Sequence, residues 1–190
     1  MRSCTACNRG EFSLGDGASC RLCEAGTYSP MKSGECIPCD LGEYSSKKGS
    51  ASCTRCVAGF SAANVGSTSC DICAAGNYSH ASASKCLACR AGSFSKEGAS
   101  NCDICPRGTN STAGASKCGP CPAGRYSPGG LGECLSCPAG FYSLEGATSC
   151  EMCPSGTISN ATASSCTSCP SGMYAAAGQS ECTGCAAGGN

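Results

Sequence analysis

The chain has no tryptophan, one histidine (His80), ten aromatic residues in all, and only 17 Leu, Ile, Val or Phe among 190. A conventional oily core is excluded, because that share lies far under the roughly 20% at which ordinary globular packing already becomes doubtful. No run approaches the roughly 20 apolar residues of a helical membrane span, so no membrane contact is expected within this segment. There is no block of like charge either. Thirteen basic and 13 acidic residues cancel, and Lys47-Lys48 is the single basic pair. A surface that tracks nucleic acid is thereby excluded. Helical periodicity is absent too, and the segments are too short and too broken by glycine for stable helix.

What the chain does have is cysteine, 24 residues of it, set among 27 glycines. That exceeds the roughly 8–10% that marks a disulfide scaffold. Ordering a backbone costs about 1–2 kcal/mol per residue, and with so little apolar surface to bury, covalent links must supply the constraint. Disulfides persist in oxidising compartments, which predicts an extracellular or cell-surface protein. The opening MRSCTACNRG carries no apolar signal-peptide core. The segment therefore reads as mature or as a fragment whose leader lies upstream.

The cysteines form twelve C-x-x-C pairs, beginning at Cys4, Cys20, Cys36, Cys53, Cys70, Cys86, Cys102, Cys118, Cys134, Cys150, Cys166 and Cys182. The step is sixteen residues, with two steps of seventeen. Three residues after each second cysteine stands a glycine, from Gly10 to Gly188. Two beyond the glycine comes Phe12, Tyr28, Tyr44, Tyr78, Phe94, Tyr126, Tyr142 or Tyr174, usually followed by serine. This aromatic column is the nearest thing to a core position, and it is expected to pack on neighbouring disulfides and prolines.

The rest of each unit is turn material. G-x-Y-S reads as a short strand, the Gly/Pro cluster as a turn, and the two or three residues before the next cysteine as a return strand. The predicted fold is a small disulfide-rich repeat protein, an elongated tandem array of short β-hairpins with no helices and a minimal hydrophobic core. It spans residues 4–188 as eleven complete units and the start of a twelfth, with no separate domain. At about 10–15 Å per unit, from strands of four or five residues, the array would extend roughly 100–180 Å.

Three pairings treat every unit alike. One links units two by two, which imposes a 32-residue period that the motif residues do not show. Another closes each C-x-x-C on itself and leaves the twelve-residue segments open. The third is preferred, because it closes every hairpin into a loop of about fifteen residues, worth roughly 3 kcal/mol per bridge on the chain-entropy model. It joins Cys7 to Cys20, Cys23 to Cys36, Cys39 to Cys53, Cys56 to Cys70, Cys73 to Cys86 and Cys89 to Cys102. It continues with Cys105 to Cys118, Cys121 to Cys134, Cys137 to Cys150, Cys153 to Cys166 and Cys169 to Cys182. Cys4 and Cys185 are left unpaired. The two residues inside each C-x-x-C would then hinge one hairpin to the next, and the AAGGN after Cys185 predicts that the array continues past Asn190.

At CEAGTYSPMKSGEC, CPAGRYSPGGLGEC and CPAGFYSLEGATSC the chain resembles the ephrin-receptor-like cysteine-rich repeats of many extracellular proteins. The same C-x-x-G-x-Y/F-S…C stretch is similar to the first small module in the cysteine-rich domains of tumour necrosis factor receptors. In that module the flanking cysteines bond to each other, which agrees with the preferred pairing. The resemblance implies an extracellular module and carries no ligand-binding residue onto this chain.

Zinc is the strongest rival chemistry, since C-x-x-C twice at a spacing of twelve suits tetrahedral sites. Against it, zinc knuckles place glycine directly after the second cysteine, whereas here the glycine comes two positions later. A thioredoxin-type C-x-x-C needs a βαβ context and a helix N-terminus, and Gly/Ser loops offer neither, so no enzyme activity and no cofactor are expected. Asp16, Asp71, Asp103, Glu97 and Glu145 do not recur at a fixed position and read as solvated turn charges. Acceptor sequons occur at Asn77, Asn110 and Asn160, and at least one is expected to carry N-glycan. The leading expectation for function is a non-enzymatic fibre, surface coat or spacer, associating with itself or another extracellular protein. The alternatives are a receptor or adhesin ectodomain and a zinc-binding array.

Overall fold

The computed structural model describes residues 6–13 and 19–185. Among them there is no helix, and every strand is two residues long, arranged as eleven separate two-stranded antiparallel hairpins. The chain divides into two compact units, one drawn from residues 1–88 and 95–102, the other from 89–94 and 103–190. Five hairpins lie in the first, from Glu11–Phe12 with Arg21–Leu22 to Asn77–Tyr78 with Leu87–Ala88. Six lie in the second, from Ser93–Phe94 with Asp103–Ile104 to Met173–Tyr174 with Thr183–Gly184. The same construction recurs inside each unit.

The first strand of each hairpin starts directly after the repeat glycine. Its partner is the pair of residues inside the next C-x-x-C. In the first unit Tyr28 faces Ile37 and Thr27 faces Pro38. In the second, Tyr142 faces Glu151 and Phe141 faces Met152. The ladder gains one more rung where the Cys39 amide donates to the Gly26 carbonyl, and Cys153 to Gly140, at 2.9 Å each. This overturns two readings of the sequence. The residues before each cysteine are not the return strand, and the C-x-x-C interior is not a hinge.

The physical reason is that the preceding repeat has already taken those residues. Phe12 forms a parallel bridge with Ser33, and Tyr142 with Ala163. The Ser143 amide donates to the Ala163 carbonyl at 3.2 Å, and that of Ser13 to Ser33 at 3.3 Å. With its pre-cysteine segment bonded backwards, each loop can pair its strand only with residues beyond its closing cysteine. Each repeat is thereby stitched to the one before through groups that would otherwise be unpaired.

The interior is sulfur and serine. The second cysteine of each pair from Cys7 to Cys153 is buried, with Cys23, Cys39, Cys73, Cys121, Cys137 and Cys153 all at 0% exposure, while Cys169 is half-buried. Beside them lie Ser29, Ser45, Ser79, Ser95, Ser111, Ser127, Ser143 and Ser159, all buried, with Ala62 and Ala175 taking the serine position in their repeats. The aromatic column, read from sequence as the core, is only half-buried, and Tyr174 is exposed. A phenol or phenyl ring is too large for a layer whose thickness is set by closely spaced backbones, whereas a cysteine or serine fits.

Two loops contain an extra residue. Cys39–Cys53 and Cys56–Cys70 are separated by 14 residues where the other bridges span 13. Their junction bonds are nonetheless kept, with the Gly49 amide donating to Cys23 O and Gly66 to Cys39 O, both at 2.7 Å. The surplus residue is absorbed in the arc before the loop tip.

Candidate functional site

The repeated structural element is the junction at which consecutive repeats meet. Its covalent part is a row of bridges: Cys7–Cys20, Cys23–Cys36, Cys39–Cys53, Cys56–Cys70 and Cys73–Cys86 in the first unit. In the second unit the bridges are Cys105–Cys118, Cys121–Cys134, Cys137–Cys150, Cys153–Cys166 and Cys169–Cys182. Cys89 and Cys102 are disulfide-bonded as well. Cys185 is a free, exposed thiol, while Cys4 lies outside the described residues.

This connectivity has a direct proteolytic consequence. Arg9, Lys32, Lys47, Lys48, Lys85, Arg107, Lys117 and Arg125 all lie inside bridged loops, whereas Arg21 and Arg55 lie in the links between them. Trypsin acting on denatured but unreduced chain should therefore nick the loops without releasing their cysteines, and should separate disulfide-linked bodies only at Arg21 and Arg55. Mass spectrometry that finds the halves of the 23–36 loop apart after cleavage at Lys32 would contradict the bridging.

The hydrogen-bonded part of the junction rests on the buried serine. Ser143 Oγ donates to the Arg125 carbonyl, Ser159 Oγ to Phe141 and Ser29 Oγ to Glu11, each at 2.9 Å across 18 residues. Ser79, Ser95 and Ser111 repeat the bond to Phe60, Asn77 and Ser93. Because Ala62 and Ala175 occupy the same slot and are themselves buried, Ser143→Ala should remove only the hydrogen bond. The expected loss is about 1 kcal/mol, read from chemical denaturation without reductant.

The loop tip completes the junction. In each loop from 23–36 onward, one tip residue at positive φ donates its amide backwards to the second cysteine of the preceding pair, as Gly146 does to Cys121 O (2.8 Å) and Gly178 to Cys153 O (2.9 Å). Most repeats use glycine here, but Lys32, Ser82 and Thr162 sit in the same left-handed region at φ 63°, 60° and 62°. A β-branched side chain is strained there. Thr162→Gly should raise the unfolding free energy by about 0.5–1 kcal/mol, the relief of strain exceeding the added chain entropy.

The repeat glycine receives the tip of the loop two repeats further on. At Gly26 (φ +85°) an added Cβ would collide with the Gly66 carbonyl, and at Gly140 (φ +82°) with that of Gly178. The apolar link residues Leu22, Ile72, Ile104 and Met152 sit against tips Gly49, Gly98, Gly130 and Gly178. This role was not visible in sequence, where the link residues share no common type. Each junction thus holds three successive repeats.

Charged chemistry around the junctions is sparse. Lys48–Glu24 (2.8 Å) and Arg55–Glu43 (3.4 Å) are surface pairs, each worth under about 1 kcal/mol. The Tyr142 hydroxyl donates to Glu151 Oε2 at 2.7 Å. That bond, together with the carboxylate's charge, holds the phenol pKa above its ordinary value. His80 makes an edge contact with the Tyr78 ring, centroids 5.5 Å apart. Among the described residues no three His, Cys, Asp or Glu side chains gather to hold a metal. No helix is long and apolar enough to cross a membrane among them either. A zinc array would need as thiolates the sulfurs that these bridges join.

Two stretches of this geometry match a known family. Residues 26–73 and 124–164 match the family described as tyrosine-protein kinase ephrin type A/B receptor-like. Both begin at a repeat glycine, and between them they include most of CEAGTYSPMKSGEC and CPAGRYSPGGLGEC and all of CPAGFYSLEGATSC. No curated protein matches the chain in sequence. The ephrin-receptor-like stretches contain every part of the junction: bridged loop, positive-φ glycine, buried serine and backward-bonded tip.

The sequons occupy different places in the repeat. Asn77 and Asn110 lie in first strands and are half-buried, whereas Asn160 follows a buried serine and is exposed.

Proposed function

We propose that the chain is a non-enzymatic extracellular module whose task is mechanical, a disulfide-stapled spacer or fibre component that keeps its length under load. The observation that carries this is the combination, at the described junctions, of a bridge across the loop base and a tip bonded onto the preceding repeat. Tension passes through the bridge, 5.7 Å between Cα atoms at Cys121–Cys134, and then through the three-residue step to the next loop. The taut path is about 16 Å per repeat, against roughly 55 Å for sixteen residues of unbridged chain. An oxidising compartment follows from dependence on these bridges.

Pulling single molecules by their ends tests the proposal. Oxidised chain should reach a limiting length of about 16 Å per repeat and lengthen more than threefold once reductant is added. Equal limiting lengths in the two conditions would refute it. Electron microscopy of native material tests the fibre form, which requires filaments rather than discrete particles.

The family match favours a second reading, that the module forms part of a receptor or adhesin ectodomain and presents a protein-binding segment away from the surface. A membrane span and cytoplasmic domain in the full-length protein would support it. Repeats running to both ends of the full-length protein would support the fibre.

A further inference from the structure

We propose that Asn160, and neither Asn77 nor Asn110, is the acceptor of an N-linked oligosaccharide. The assignment rests on the extracellular reading of the chain and comes from where each sequon falls in the repeat. Asn77 is the first residue of its strand, paired with Ala88, and the sequon hydroxyl of Ser79 is buried, donating to the Phe60 carbonyl at 2.9 Å. Asn110 stands in the aromatic slot, where its Nδ2 donates to the Gly132 carbonyl at 3.0 Å and its backbone bridges to Leu131. Its amide thus serves the junction, and Ser111 beside it is buried and bonded to the Ser93 carbonyl. A sugar on Asn110 Nδ2 would displace its bond to the neighbouring loop, and one on Asn77 Nδ2, which donates to the Ala74 carbonyl at 3.4 Å, would grow from a half-buried strand residue.

Asn160 itself has none of these engagements, and the Thr162 hydroxyl, which donates to the Ala161 carbonyl at 2.6 Å, is exposed rather than buried. The asparagine lies outside the strands, its side chain makes no hydrogen bond among the described residues, and Asn160, Ala161 and Thr162 are all exposed. Thr162, the sequon's hydroxyl residue, is the β-branched side chain held at φ 62° in a position where most repeats carry glycine. The sequon needs Ser or Thr at that position, which gives the strained residue a purpose.

The donor is a lipid-diphosphate-linked oligosaccharide, used by the transferase of the secretory pathway. Asn160 Nδ2 loses a proton and bonds to the anomeric carbon of the first sugar. The bond from that carbon to the diphosphate oxygen breaks, and the lipid diphosphate leaves with the electron pair.

The test is secretion of the chain from a eukaryotic host behind an added leader, with intact-mass measurement of the product. Site occupancy is read by enzymatic deglycosylation in heavy-oxygen water, which needs no variant. The label is expected at Asn160 alone, and both Asn160→Gln and Thr162→Gly should lose the mass of one glycan. Folded, secreted chain with no sugar at Asn160, or with label at Asn77 or Asn110, overturns the assignment by itself. Chain that remains reduced and unfolded in that compartment overturns the extracellular reading and the assignment with it.

Discussion

Full reduction should unfold this protein, and a metal chelator should leave it unchanged. Each bridge closes a loop of about fifteen residues and contributes roughly 3 kcal/mol on the chain-entropy model, against a native margin of about 5–15 kcal/mol for ordinary domains. Losing a handful of the described bridges already consumes a margin of that size. The buried residues that remain are serine, alanine, glycine and reduced cysteine, which offer too little apolar surface to hold the hairpins. Amide dispersion in NMR spectra recorded with a strong phosphine reductant, and separately with a chelator, reads both arms. Retained dispersion after complete reduction, or collapse in chelator alone, would mean that something other than sulfur bonding organises the chain.

The second large effect is expected from one methyl group. Gly140→Ala forces a Cβ into the Gly178 carbonyl, so the tip must lift and its bond to Cys153 O is lost. Left-handed strain of about 1–2 kcal/mol and overpacking of about 1–3 kcal/mol together predict a loss near 3 kcal/mol. Gly146 is also left-handed, at φ +73°, but has nothing within 4 Å of an added Cβ. Gly146→Ala should therefore cost about 1–2 kcal/mol, the strain alone. Denaturation midpoints of the two variants under non-reducing conditions separate conformation from crowding. Equal costs would show that the tip does not bear on the glycine.

The hairpin array was legible because its signals are local and repeated: a bracketing cysteine pair, a glycine at constant offset, and turn residues between. The return strand was not, since Ile37-Pro38, Thr54-Arg55 and Asp71-Ile72 share no β pattern. Two-residue strands are also too short for any alternation to show. The core was misread for a related reason. Ser143 reads in sequence as the polar end of a short G-x-Y-S strand, and its burial is tolerable only because a carbonyl 18 residues earlier accepts its proton. No composition encodes such a partner. Of the sequons, motif reading supplied three asparagines, and only their register in the repeat distinguishes them.

The two longer loops have an engineering consequence. Because the additional residue in 39–53 and 56–70 leaves the strand register and tip bonds intact, the outward arc between buried serine and tip is where the scaffold tolerates variation in length. A peptide epitope or reactive tag grafted into that arc would be displayed once per chosen repeat, at intervals fixed by the backbone lattice rather than by the graft.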